Sequence, residues 1–479
     1  MPPFSARAAS ARYAVCRSRT AVHGGDNVVL TEVRSRQRET LAAVARHARS
    51  LAGAVADDSE LMRLLGGAEF ALLGEASHGS DEFYRERATI TKRLIVEHGT
   101  VAVAVEADWP DALRVDRYVR GLPGDASGNE ALSGFRRFPT WMWRNTAVLE
   151  FVEWLRGHNA ALPPTERVGF YGIDLYSLFA SMDAVLAYLD REDPAAARRA
   201  RRRYACFESY REDAQAYGYA TRFGMSPDCE DAVVAQLRDM LSHRAAQAAL
   251  EARGDAAARF HAEQNARLVR SAERYYRTMF GGRVASWNLR DSHMVETLEA
   301  LRHHLGTARS AAPRIAVWAH NSHLGDARAT ELGEHGEWNV GQLLREGHGN
   351  AAALLGFATD HGSVAAASDW DGPLEIKRVQ PGLAGSWEAL FHDTGIARFA
   401  LLLRGSGELA QALATPRLQR AIGVIYRPET ERQSHYFMAR PVQQFDALVH
   451  LDRTRAVEPL DGREPHPTGE PPETWPSGV

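Results

Sequence analysis

The chain has 479 residues, 45% hydrophobic and 25% charged, enough to bury a large core with a second domain or an insertion beside it. Its 57 basic and 61 acidic residues leave a net charge of -4, so the global electrostatics favour neither nucleic acid nor an anionic membrane as a partner. Cys16, Cys206 and Cys229 lie far apart without a CxxC pair, which predicts neither a thiolate zinc cage nor a disulfide framework and points to a reducing cytoplasm; no apolar run approaches the roughly 18 residues that a spanning helix requires.

Residues 1 to 30 read as a disordered extension. The first 25 lack Asp and Glu but carry Arg7, Arg12, Arg17 and Arg19, a composition shared with transit peptides, in a chain whose only lysines are Lys92 and Lys377. An α/β catalytic domain is expected over 31 to 176 and again over 307 to 455, with a helical insertion over 177 to 306 and a proline-rich disordered tail over 456 to 479. Short apolar runs predict strands at 70 to 74, 101 to 106, 168 to 173, 314 to 319, 352 to 358, 399 to 404 and 421 to 426, together a central, mostly parallel sheet flanked by helices. Ser80 and Gly99 bracket a helix over 81 to 98, so 70 to 106 has the length of a βαβ crossover that would place its two strands side by side. From 177 to 306 strands vanish, and amphipathic segments at 194 to 217, 229 to 250, 254 to 279 and 284 to 305 follow one another.

Chemistry gathers just past the strands. The first strand runs into Glu75 and His78 of GEASHG, the next into Glu106, the third into Asp174, and the fourth into His320 and His323 of AHNSH. Parallel strands end along one edge, where α/β proteins bind ligands, so four segments can deliver histidines and carboxylates to one cleft. A histidine beside a carboxylate is a general base suited to neutral pH, which assigns that role to His78 with Glu75 as its partner. Ser77 is a weaker nucleophile candidate because the GxSxG elbow is absent. Glu75, His78, His320 and His323 also make an N/O set able to hold a divalent metal, which gives a metal-dependent hydrolase as an alternative, although the HExxH helix is missing. Arg87, on the helix after GEASHG, is a candidate partner for Glu106 or for a developing oxyanion, against the ordinary fate of a solvated arginine. Lys377 stands out in a chain that otherwise uses arginine. The aromatic stretch 135 to 145, with Trp141 and Trp143, reads either as a lid over an apolar substrate or as core packing beneath a long loop; with a histidine as axial ligand it gives a third alternative, a haem- or aromatic-ligand-binding protein.

The segments LLGEASHGSDEFYRERATITKRLI, VAVAVEADWPDALRVDRYVRG, RFPTWMWRN, GIDLYS, NLRDSHM, VWAHNSHLGDA and IGVIYRPETERQSHYF, spread over about 35 to 455, together resemble the erythromycin esterase family, which takes in succinoglycan-biosynthesis-like proteins. That resemblance implies a hydrolase of carboxylic esters or lactones in which water, activated without metal or other cofactor, attacks the carbonyl. It implies His78 as base, Glu75 beside it, Glu106 as the second acidic residue, Arg87 as the helix arginine, and His320 and His323 as the second histidine pair; Asp174, Trp141, Trp143 and Lys377 are expected to meet the substrate. Macrolide opening, and with it antibiotic resistance, is one activity within the family's range.

Overall fold

The computed structural model describes residues 25–211, 213–247, 256–307 and 311–461, so the first 24 residues and the tail beyond 461 lie outside it. Thirteen strands are described in chain order: Arg49–Ser50 (β1), Phe70–Leu73 (β2), Thr100–Asp108 (β3), Gly169–Asp174 (β4), Arg314–Trp318 (β5), Ala352–Ala358 (β6), His361–Ala366 (β7), Glu375–Val379 (β8), Arg398–Leu402 (β9), Arg417–Arg420 (β10), Tyr436–Ala439 (β11), Ala447–Leu451 (β12) and Arg453–Thr454 (β13). Eight form the central sheet in the order β1-β9-β12-β6-β2-β5-β3-β4. From β12 to β4 every pairing is parallel, and β9 runs antiparallel to both its neighbours.

Alternation along the strands divides the core in two. Phe70, Leu72, Ala102 and Ala104 face one layer, built largely of helices from the 177 to 306 region, including Leu178–Glu192, Ala256–Met279 and Arg283–Gly306. Ala71, Leu73, Val103 and Val105 face the other, with helices Ser59–Gly66, Asp81–His98, Trp109–Val119 and Thr146–Ala160. The helices of the 177 to 306 region thus cover one face of the sheet and share its core.

Helix Asp81–His98 begins after Ser80 and stops at Gly99, whose φ of 68° is the left-handed geometry that glycine adopts without strain. Three expectations are corrected. β5 lies between β2 and β3, so the unit 70 to 106 is a crossover that skips one strand position. Residues 421 to 426 form isolated bridges, Ile422 to Ser77 and Ile425 to Ala367, and strap the GEASHG loop without entering a strand. Cys206 and Cys229 are joined in a disulfide with Cα atoms 6.2 Å apart, because helices Pro194–Tyr204 and Glu230–Gln247 pack together through Arg203, which donates to Asp239 at 2.7 Å and to Gln236 at 2.9 Å.

At the ends of the chain, helix Gly25–His47 takes up the last part of the 1 to 30 stretch. Val457 is buried, and the Leu460 N–H donates to the Arg144 carbonyl at 2.9 Å. Among the described residues no helix is long and apolar enough to cross a membrane.

Candidate active site

The parallel register brings Leu73, Val105 and Trp318 level, so the residues that follow them emerge at one edge. There a cavity of about 550 Å³ opens, lined by His78, Glu106, Asp174, His320 and His323 among the expected residues. The volume is that of a drug-sized ligand pocket.

Glu75 and His78 are held by a tight loop. Gly79 has φ 76°, and a Cβ there would stand 2.2 Å from the Ala365 carbonyl oxygen. The loop is strapped on one side, where the His78 N–H donates to Ile422 O at 3.0 Å, and tied to AHNSH on the other, where the Asn321 N–H donates to Glu75 O at 2.8 Å. His78 Nδ1 contacts Glu75 Oε1 at 2.8 Å. Arg87 donates to Glu75 Oε2 at 2.6 Å. Arg87 is fully buried, lies over the rings of Tyr84 and Trp318, and does not line the cavity, so its expected roles beside Glu106 or at an oxyanion give way to that of an anchor for Glu75. Ser77 is buried against Ser80, 2.5 Å between hydroxyl oxygens, and is also absent from the cavity wall.

His320 and His323 sit at the start and within the short helix Asn321–Leu324, and their surroundings differ. His320 Nδ1 accepts from the Ser322 N–H at 3.2 Å and meets the Ser322 hydroxyl at 2.8 Å. Its Nε2 is buried without a partner, and its ring lies 4.9 Å from that of His78. Burial, then the neighbouring His78, push its pKa well below the usual value, so it is neutral, and Nδ1 as acceptor places the proton on Nε2. His323 stacks on Trp287, with Nδ1 3.0 Å from both oxygens of Asp291 and Nε2 3.3 Å from Glu106 Oε1. Burial opposes its charge, but Asp291 and Glu106 outweigh burial and raise its pKa to about 9.

Arg290 completes this side. It donates to Asp174 at 2.9 and 2.7 Å and to Glu106 at 2.8 Å, and lies over Tyr176. Glu106 Oε2 accepts from the His320 N–H at 2.9 Å. Although burial opposes ionisation, His323, Arg290 and His78 hold the Glu106 carboxyl well below its usual range. Because β5 separates β2 from β3, the bonded partners of Glu106 are Arg290 and the histidine segment that follows β5, while His78 acts on it through charge.

The aromatic wall consists of Phe135, Phe138, Trp143, Tyr176, Trp287 and Trp370. Trp143 lines the cavity; Trp141 lies outside the lining, buried edge-on against Phe138. Lys377 lies on β8, bonded to Ser368 at 2.6 Å and near Glu375 at 3.3 Å, and also falls outside the cavity. Arg290, Asp291, Trp287, Tyr176 and Trp370 were not singled out individually from the sequence. The NLRDSHM segment, one of those that carry the family resemblance, was the signal available for Arg290 and Asp291.

The quartet proposed for metal does not converge. Glu75, His78, His320 and His323 are not among the described donors that gather at metal-ligand spacing. Among the described residues, donors with metal-ligand spacing gather elsewhere, at Asp360, His361, His392 and Asp452.

A three-layer α/β protein with a histidine- and carboxylate-lined cleft at the carboxyl edge of its parallel strands invites comparison with known folds. A crystal structure of a succinoglycan biosynthesis protein matches with TM-score 0.72 at 19% identity, over 89% of this chain and 99% of that one. A Bacillus cereus protein matches with TM-score 0.71, also at 19% identity and over the same shares. A mutant of the erythromycin esterase EreC in its open conformation matches with TM-score 0.62 at 17% identity, over 84% of this chain and 95% of that one. The erythromycin esterase family model covers residues 95–454, and the chain belongs to the erythromycin esterase family. That membership points to a hydrolase acting on esters.

Proposed function

We propose that the chain hydrolyses carboxylic esters or lactones with a water activated by His78 and without a covalent intermediate. The observation that carries this reading is the Arg87–Glu75–His78 relay. With Nδ1 turned to Glu75, Nε2 of this cavity-lining histidine is the nitrogen available to take a proton, and the buried arginine fixes the carboxylate that orients the ring. Water loses a proton to His78 as its oxygen attacks the carbonyl carbon. The tetrahedral oxyanion receives the Nε2–H of neutral His320. On collapse the C–O bond to the leaving group breaks, and the proton on His78 passes to the departing alkoxide. Ser77, turned to Ser80, supplies no nucleophile to compete with water. The aromatic wall, with Trp143 and Trp370, suits an apolar acyl chain or lactone ring, and macrolides fall within the class tested.

A panel of esters and lactones, macrolides included, run on wild type and His78→Ala side by side tests the reading. The expected loss in kcat/KM is at least the ~10² to 10⁴-fold that general-base catalysis supplies. An unchanged rate on every accepted substrate refutes it.

A further inference from the structure

We propose that Asp360, His361, His392 and Asp452 form a binding site for one divalent transition-metal ion of the zinc class, separate from the catalytic cavity. Three segments bring the four residues together. Parallel β6 and β12 leave the central sheet side by side, and at the same level each chain turns into a strand of the small sheet, β7 or β13; Asp360 and His361 lie at the first turn and Asp452 at the second, joined by the His361 N–H donating to Asp452 O at 3.1 Å. His392 arrives from the last turn of helix Trp387–His392.

One donor atom from each side chain lies within 4.8 Å of the other three. His361 Nδ1 is 2.9 Å from Asp360 Oδ2, and His392 Nδ1 is 2.7 Å from Asp452 Oδ1 and 3.9 Å from Asp360 Oδ2. These separations bracket the roughly 3.4 Å between ligands of a tetrahedral ion with bonds of about 2.1 Å. Two imidazoles with two carboxylates select zinc-class ions over calcium or magnesium, and the two carboxylates balance a dication. On binding, each Nδ1 gives up its hydrogen bond to a carboxylate for the metal, and the ring proton moves to Nε2.

The carboxylates are themselves held from outside, as metal ligands are. Asp360 Oδ1 accepts from the Gly382 N–H at 3.0 Å, an approach that needs glycine, because a Cβ there would stand 2.9 Å from that oxygen. Asp452 Oδ1 accepts from Nε2 of His450 at 3.3 Å, and His450 is wholly buried with its Nδ1 unpartnered. His361 and His392 are 37% and 50% exposed in their side chains, which leaves an entry path for the ion. The adjoining cavity, which also includes Pro381, Gly385 and Arg417, shares no residue with the catalytic one.

Titration calorimetry of the metal-stripped full chain with Zn²⁺ tests the site, alongside thermal unfolding with and without the ion. The expected result is one ion per chain and a thermal midpoint raised by Zn²⁺, as binding to the folded state alone requires. His361→Ala/His392→Ala, which removes two exposed rings, should fold as wild type does and lose more than the ~10- to 100-fold in affinity that mutating outer partners alone brings. Asp452→Asn should weaken binding in the same direction, while His78→Ala/His320→Ala should retain full Zn²⁺ stoichiometry. Absence of uptake by wild type, uptake that survives the His361/His392 double substitution, or loss of uptake in the His78/His320 variant would each overturn the proposal.

Discussion

The two halves of the cleft differ in how much of their hydrogen-bonding capacity is engaged. Around Glu106, Asp174, Arg290, Asp291 and His323 the charged groups answer one another at 2.7 to 3.3 Å. On the other side, His78 keeps one ring nitrogen for the cavity and His320 has a buried Nε2 without a partner. His320 and His323 make the contrast sharpest: three residues apart on one short helix, one is driven neutral by burial and the other raised to about 9 by carboxylates. Saturated charge makes a polarised frame, and the proposed chemistry is assigned to the unsaturated nitrogens of His78 and His320.

Removing Arg290 should break that frame most severely. Arg290→Ala leaves Glu106 and Asp174 facing each other's charge in a buried site, and the expected cost is about 3 to 5 kcal/mol in chemical unfolding. A loss below about 1 kcal/mol would mean that solvent, not the arginine, balances the two carboxylates.

His323 sharpens the comparison through pH. Its folded pKa lies above the unfolded value of about 6.5, so its contribution is fully present below that pH and is lost as pH rises through about 9, on the order of 3 kcal/mol in all. His293 and His435 act in the opposite sense: burial lowers both to about 4, so their contribution is present above about 6.5 and lost as pH falls toward 4. Unfolding free energy should therefore peak near neutral pH, and His323→Asn should flatten the alkaline limb and weaken the share of the acid limb that Glu106 contributes, while the share of His293 and His435 stays. An alkaline limb unchanged in the variant would assign that loss to other groups.

Glu106→Gln is expected to act chiefly on the frame. Its partners are Arg290, His323 and the His320 backbone, so stability should fall by about 1.5 to 3 kcal/mol, the range for a hydrogen bond to a charged group, while kcat falls less than tenfold. A collapse of kcat at unchanged stability would move Glu106 to the reactive half. The smallest effect belongs to Lys377→Ala: stability should drop by no more than about 1 kcal/mol, and kcat/KM should stay at the wild-type value, since Ser368 and Glu375 hold the amine away from the cleft.

Much of this site was legible because parallel strands end together. Glu75, His78, Glu106, Asp174, His320 and His323 each follow an apolar run, and the common edge of the sheet gathers them. Strand order was not legible: the insertion of β5 between β2 and β3 is decided by packing over long sequence separations, which local patterns do not encode, and it sends Glu106 to the β5 histidines. Arg290 and Asp291 sit mid-helix, where charge ordinarily means solvent, and only tertiary packing turns them inward. The apolar run 421 to 426 has strand composition, but its backbone groups are divided between the GEASHG loop and residue 367, so no ladder forms. Lys377 stood out by composition, which carries no geometry, and Trp141 by an aromatic cluster whose other members, Phe135, Phe138 and Trp143, line the cavity while it does not.

Chemical rescue tests the central claim most directly. His78→Ala, assayed on an ester that wild type accepts, should be slowed by at least ~10²-fold and regain rate in proportion to added neutral imidazole, with no acyl adduct in the intact mass during turnover. A variant that runs at the wild-type rate without imidazole, or an acyl adduct accumulating on the wild-type chain, would contradict a water activated by His78.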